Sequence, residues 1–479
     1  MSANEIYQTP LASRYASIEM QKLFSAKERA STWRKLWLWL AEAEKELGIE
    51  ISNEAITQMK ENLECNDKDF EIIAIEEKKR RHEVMSHVHA YGQAAPAAAG
   101  LIHLGATSCY VNDNADLIFL KQGLNIVTNR LATIIHKLSK FALEYKDLPT
   151  LGYTHYQPAQ CITVGRRKIF PVDLLMDLED IERVQGDLKF RGAQGTTGTQ
   201  ASFMELFNGD GAKIDQLNAM LCQKAGFSDV YEISTQTYSR KVDLRIANAL
   251  SGFGATVQKI TTDLQHLATQ KYSLCDPFGS SAMAYKRNPM RCERIAGIGR
   301  FLASLNKPTS DTYAAQWFER TLDDSSIRRI TIPEMFLSAD AILLCLDNVV
   351  SGLVVYPNTI RAHLMQELPF MATEVIIVKL VATGVSRQEA HEQIRVLSHQ
   401  ASDVVKKEGG KNDLIQRIKQ CEFFRPVWGA IDDLLDPVNF IGRCPERVER
   451  FCGEGGTVRK ALIPYEKYIK SSEDVELSV

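Results

Sequence analysis

The chain reads as an all-α protein, and three observations say so. Apolar residues recur on a seven-residue repeat through three separate segments of the middle third. No strand-rich region or low-complexity run interrupts them. The composition is that of an ordinary globular protein, with 45% hydrophobic and 24% charged residues over 479 positions. A chain of this length holds two or three domains or one elongated core.

Residues 1–111 show short helical patterns and loops and read as an N-terminal helical domain. The first long helix follows, with Leu117, Leu120, Leu124, Val127, Leu131, Ile134, Leu138 and Phe141 in steps of three and four. Asp113 or Asn114 is expected to cap its start, and Asp147-Leu148-Pro149 to end it. A helix over Ile162–Lys189 is expected next, kinked at Pro171. The second heptad helix carries Ile246, Leu250, Phe253, Val257, Ile260, Leu264 and Leu267. A further helix runs from Met290 to about Leu305, and the third heptad helix carries Met335, Ala339, Ile342, Leu346, Val349 and Leu353 before Pro357. A 3.5-residue spacing keeps one stripe facing a neighbour along the whole helix, so such helices bury themselves only in a bundle. Ile118, Ile135 and Leu343 widen the stripe, which suits contact with more than one partner helix, within the chain or across an oligomer interface. Residues 112–364 are therefore read as a central long-helix bundle and 365–479 as a C-terminal helical domain.

Composition excludes several function classes. The formal net charge of −3 implies no general polyanion-binding surface, and aromatics are not interleaved with basic runs, so nucleic acid is not an expected partner. No run of about 18 apolar residues is present to cross a membrane, and the polar start lacks an apolar signal core. Ten scattered cysteines without a C-x-x-C pair read as reduced thiols of a cytoplasmic protein. His82, His87 and His89 cluster without further ligands at metal spacing, so no metal site is expected.

Small polar loops punctuate the helices. Gly105-Ala106-Thr107-Ser108 precedes the first long helix, where backbone N–H groups favour an anion or simply cap the helix. Thr154-His155-Tyr156-Gln157 places a histidine in a polar turn, with a pKa class suited to proton transfer or, equally, to a surface position. Gly195-Thr196-Thr197-Gly198-Thr199-Gln200 lacks the lysine of a P-loop and reads as a glycine-rich turn. Downstream, Arg320, Ser325 and Arg329 can converge on a phosphate or form a solvated charged face.

The most informative segment is Ser280-Ser281-Ala282-Met283-Ala284-Tyr285-Lys286-Arg287-Asn288-Pro289, entered through Gly279. Hydroxyls, two cations and an amide before one proline suit neither a helix nor a strand interior, and glycine with paired serines argues for a mobile loop. Lys286 and Asn288 can hold carboxylate oxygens while Ser280 or Ser281 handles a proton.

This string resembles the signature of the fumarase/aspartase superfamily, and it is most similar to the adenylosuccinate lyase family of eukaryotic type. The resemblance extends through Leu11-Ala12-Ser13-Arg14-Tyr15, Arg81-His82-Glu83-Val84-Met85, Thr107-Ser108, Thr154–Gln157, Gln236–Arg240 and Arg320–Ser325. It implies a three-domain fold whose long helices form the core of a homotetramer, with loops from three subunits at each site. It implies elimination of fumarate from adenylosuccinate and from the succinyl-carboxamide ribotide of purine synthesis, without metal or organic cofactor. By the same resemblance Ser280 is the base, His155 the acid for the departing nitrogen, and Glu293 the group that orients His155. Glu293 reads equally as a complement to the dipole of its helix. Lys286 and Asn288 would bind the succinyl carboxylates with Thr107, Ser108 and Ser281. His82 would assist near the phosphate or the leaving group, Arg81 and Glu83 beside it would bind substrate, and Gln236 would position it. Arg14, Tyr15, Arg294, Arg320, Ser325 and Arg329 would hold the nucleotide and its phosphate. Another lyase of the superfamily, such as argininosuccinate lyase, and a non-catalytic structural homotetramer are the alternatives. The chain departs from the family pattern at Ala284, usually proline, in the short approach Asp276-Pro277-Phe278 to Gly279, and at Glu83, usually aspartate.

Overall fold

The computed structural model describes residues 5–167, 170–275, 278–279, 283 and 285–472. Long helices dominate it. Those that matter for the site are α1 (Ala26–Glu46), α2 (Asp67–Arg80), α3 (Glu83–Ala94), α4 (Ser108–Glu144), α5 (Pro171–Gly186), α6 (Lys241–Thr269), α7 (Met290–Ser304), α8 (Asp323–Ser351), α9 (Pro357–Ala382) and α10 (Arg387–Lys407).

The heptad stripes fold as their spacing predicts. From Leu117 to Leu138 the stripe of α4 is buried throughout, as are the stripes of α6 and α8 from Ile246 to Leu267 and from Met335 to Val349. The flanking Ile118, Ile135 and Leu343 are buried too. Each such side chain contributes about 1.5–3 kcal/mol when fully withdrawn from water. Leu353 is the exception in the third stripe, because α8 stops at Ser351 and Leu353 enters a short strand.

Three other expectations are corrected. Helix α4 begins at Ser108, so Asp113 and Asn114 lie inside it and are buried rather than capping it. Pro171 opens α5 instead of kinking a longer helix, and Ile162 belongs to a strand. Proline at a first helical position loses no intrahelical hydrogen bond, whereas in the interior it would. Strand pairing is also present. The hairpin β1 (Pro149–Thr154) and β2 (Gln157–Thr163) is antiparallel, β3 (Ser273–Cys275) pairs with β6 (Leu353–Val355), and β4 (Phe278–Gly279) pairs with β5 (Arg287–Asn288).

The chain divides into two compact units that interleave along the sequence. One comprises residues 1–131, 176–259 and 295–345, the other 132–175, 260–294 and 346–479. In the first, Trp33 and Trp37 of α1 are fully buried, edge to face at 6.3 Å, and Phe24 meets Phe336 of α8 at 5.5 Å. The second has a core of Leu151, Cys161, Tyr272, Leu364 and Leu368 around the hairpin, and another of Ala372, Ile376, Ile394 and Phe424 joining α9 to α10. Among the described residues no helix is long and apolar enough to cross a membrane.

Candidate active site

In the first unit the start of α8 and the segment just before it bring Ser325, Arg329 and Arg320 to one recess, where Arg29 of α1, Asp116 of α4 and Arg240 also line the wall. An internal lattice of ion pairs holds it. Arg320 reaches both oxygens of Asp324 at 2.9 Å, and the Arg240 Nε donates to Asp324 at 2.7 Å while its other nitrogens reach Asp113 at 3.0 and 3.2 Å. Arg328 donates to Asp116 at 2.9 Å and to Asp243 at 2.8 Å, and Arg29 shares Asp116 at 3.0 Å. Burial works to raise the Asp116 carboxyl, but Arg328 and Arg29 outweigh it and hold its pKa below the usual carboxylate range. At the more open edge Arg329 grips Glu83 with both terminal guanidinium nitrogens. Burial opposes ionisation of Glu83 as well, and Arg329 again prevails, lowering its pKa.

His82 and Ser108 meet at the first turns of α3 and α4. The His82 Nδ1 accepts the Met85 N–H at 3.2 Å, capping α3, and its Nε2 lies 3.2 Å from the Ser108 hydroxyl oxygen. A ring nitrogen that accepts carries no proton, which leaves Nε2, facing the Ser108 hydroxyl, as the His82 nitrogen that can carry one. The loop before Ser108 is built tightly. Gly105 has φ +66°, and a Cβ there would sit 2.8 Å from the Phe203 ring. Its carbonyl accepts from Ser202 Oγ at 2.7 Å. His103, also at positive φ, accepts the Trp37 indole N–H at 2.9 Å, and its pKa falls to about 4 through burial, with His82 adding to the effect.

Gln236 ties this unit to the glycine-rich turn. Its amide nitrogen donates to the Thr196 carbonyl at 2.9 Å, and its backbone N–H to the Glu319 carbonyl at 3.2 Å. The buried Arg191 holds the same turn through the Gly195 and Thr235 carbonyls, each at 3.2 Å. Gly198, at φ +81°, lies so close to Ser234 that a Cβ would stand 1.9 Å from its carbonyl oxygen. The turn read as plain is therefore a fixed wall beside Gln236. Arg14 and Tyr15 sit on the helical turn Leu11–Tyr15, the Arg14 guanidinium 6.0 Å from the Tyr15 ring centre. Arg81, exposed, ends α2 in a left-handed conformation immediately before His82.

The second unit carries the acid–base candidates. His155 and Tyr156 are the tip of the β1–β2 hairpin, both at positive φ (53° and 56°) between the paired Thr154 and Gln157. This is the two-residue turn whose twist matches a hairpin, and it presents the His155 ring to solvent. Below it the Tyr153 and Tyr272 hydroxyls are 3.1 Å apart, and the Tyr156 ring lies tilted, 4.9 Å from the His266 ring centre. Lys286 is exposed, Asn288 pairs in β5 with Phe278, and Glu293 and Arg294 stand in the first turn of α7. Glu293 is exposed rather than buried, and no hydrogen bond joins it to His155 among the described residues. Ser280 and Ser281 lie outside the described residues, as do Ala284 and the approach Asp276-Pro277.

Sequence reasoning missed Arg29, Asp113, Asp116, Arg240 and Arg328 as parts of the recess. Arg240 ends a motif singled out above, Arg328 stands beside Arg329, and Asp113 is the residue expected to cap the first long helix. A charged residue one helical turn from an apolar stripe was the available signal. Among the described residues no group of three His, Cys, Asp or Glu side chains suits a metal ion.

The chain carries the sequence profile of a lyase. Residues 14–301 match the family profile described as Lyase, and residues 369–451 match one described as Adenylosuccinate lyase C-terminus. The fold resembles a fumarate lyase from Mesorhizobium sp. BNC1, at TM-score 0.78 and 22% identity, covering 94% of this chain and 99% of that one. It resembles equally a 3-carboxy-cis,cis-muconate lactonizing enzyme from Pseudomonas putida, at TM-score 0.79 and 19% identity, covering 96% and 100%. In sequence, the chain is 52% identical to the adenylosuccinate lyase of Saccharomyces cerevisiae over 480 residues, covering 99% of each. It is likewise 52% identical to that of Schizosaccharomyces pombe, with the same coverage. The chain belongs to the adenylosuccinate lyase family.

Proposed function

We propose that the protein eliminates fumarate from adenylosuccinate, leaving AMP, and from the succinyl-carboxamide ribotide of purine biosynthesis. The observation that carries this reading, given the family, is the convergence of Arg320, Ser325 and Arg329 on one recess with His82, Ser108 and Gln236 in the same unit. Guanidinium groups suit a phosphate, with Arg14, Tyr15 and Arg294 as the remaining nucleotide contacts.

The chemistry removes a weakly acidic proton next to a carboxylate and then breaks a C–N bond. The electron pair left by the proton spreads onto that carboxylate as a dianionic aci form, which preorganised cations and donors stabilise. In our reading Lys286, Asn288, Thr107, Ser108 and Ser281 hold the succinyl carboxylates. Ser280 takes the proton, with Lys286 favouring its alkoxide, and His155 protonates the departing nitrogen. Glu293 orients His155. No hydrogen bond joins these two among the described residues, and a homotetramer with sites assembled from several copies suits the roles. Nine cysteines among the described residues stand outside any disulfide, which fits a reducing, cytoplasmic setting.

The test offers both succinyl compounds separately to purified protein and follows the ultraviolet change of C–N cleavage. Fumarate release from both is expected. Inertness toward both, with activity on a different succinyl compound, would overturn the assignment.

A further inference from the structure

Every guanidinium group that lines the recess is paired with a carboxylate. Arg29 and Arg328 share Asp116, Arg328 also holds Asp243, Arg240 lies between Asp113 and Asp324, Arg320 takes Asp324, and Arg329 takes Glu83. A nucleotide phosphate carries about −1.5 to −2 charges near neutral pH. It gains most from a guanidinium whose carboxylate can give way.

Exposure singles out which one. The side chains of Asp113, Asp243 and Asp324 are 1%, 3% and 0% exposed, and Asp116, at 12%, is gripped by two arginines. Glu83 is 30% exposed, and its partner Arg329 is 50% exposed. An ion pair this open contributes little net stability. Its guanidinium already presents two N–H groups side by side to one carboxylate, the fork that also fits a phosphate.

We propose that Glu83 is the resident counter-anion of the phosphate subsite: it occupies Arg329 in the empty protein, and the incoming phosphate displaces it. The proposal rests on the phosphate reading of the recess given above. It makes Glu83 a tuning residue for phosphate affinity.

Titration calorimetry of the full-length protein with AMP and with adenosine tests it, on wild type, Glu83→Gln, Glu83→Asp and Arg329→Gln. Glu83→Gln is expected to tighten AMP about two- to fivefold, the span an exposed ion pair is worth, and to leave adenosine unchanged. Glu83→Asp, which keeps the charge, is expected to stay near wild type. Weaker or unchanged AMP binding in Glu83→Gln, while wild type still prefers AMP to adenosine and Arg329→Gln loses that preference, would overturn the counter-anion role alone. If wild type binds AMP and adenosine alike, the phosphate reading itself falls, and the proposal with it.

Discussion

Arg240 and Asp324 meet at 2.7 Å, both out of contact with water, and this pair anchors the floor on which Arg320 stands. Asp324 serves two guanidinium groups at once, so its removal leaves charge uncompensated in the interior. Breaking one partner of a buried pair costs ~3–5 kcal/mol. Asp324→Asn is therefore expected to lower unfolding free energy by about 3 kcal/mol in urea titrations. It should also raise KM, because Arg320 loses its tether. Wild-type stability in this variant would contradict the ion-pair account.

His155 stands at a turn position that asparagine also favours, since left-handed backbone suits its short side chain. His155→Asn thus removes the proposed acid without disturbing the hairpin. Its kcat is expected to fall ~10²- to 10⁴-fold, the usual worth of general acid catalysis, with the melting temperature unchanged. Full turnover would remove His155 from the mechanism.

Gly198 leaves no room for a side chain against the Ser234 carbonyl. Gly198→Ala must move the turn that Gln236 leans on through the Thr196 carbonyl. A loss of ~1–3 kcal/mol together with a raised KM is expected from denaturation and steady-state kinetics. A change in stability with KM untouched would mean that the turn is only structural.

Glu44 is fully buried in α1, and neither of its carboxyl oxygens has a hydrogen-bond partner among the described residues. Burial raises its pKa from 4.5 to about 9. Below pH 4.5 the group is neutral in both folded and unfolded chains. Between the two values the unfolded chain releases a proton that the folded chain keeps. Stability is therefore lost as pH rises through this window, by up to ~1.4 kcal/mol per pH unit from this one group. Glu44→Gln cannot titrate, so its melting temperature should gain on that of wild type from pH 5 to pH 9. Parallel profiles would contradict the burial argument.

How much of this was legible in the sequence follows from what each feature depends on. The buried stripe from Leu117 to Leu138 was plain, because helical burial leaves its period in the residues themselves. The hairpin around His155 was read only as a turn, since it lacks the Asn-Gly or Asp-Gly that usually marks such turns. Asp113 and Asn114 looked like caps by their chemistry. Their actual partners, Arg240 and the backbone of Arg191 and Gly192, lie far along the chain, where no local pattern reaches. For the same reason Arg320, Ser325 and Arg329 were visible as candidates, while the acids that neutralise them were not.

Each catalytic site is proposed to be assembled from several copies of the chain, with the acid His155 and the base Ser280 on different copies. Mixing purified His155→Asn and Ser280→Ala proteins after reversible dissociation tests it most directly, with fumarate release as the readout. Each variant alone should be nearly inactive, and the reassembled mixture should recover activity, because some sites then receive both intact groups. Two inactive parents whose mixed assemblies stay inactive would contradict it.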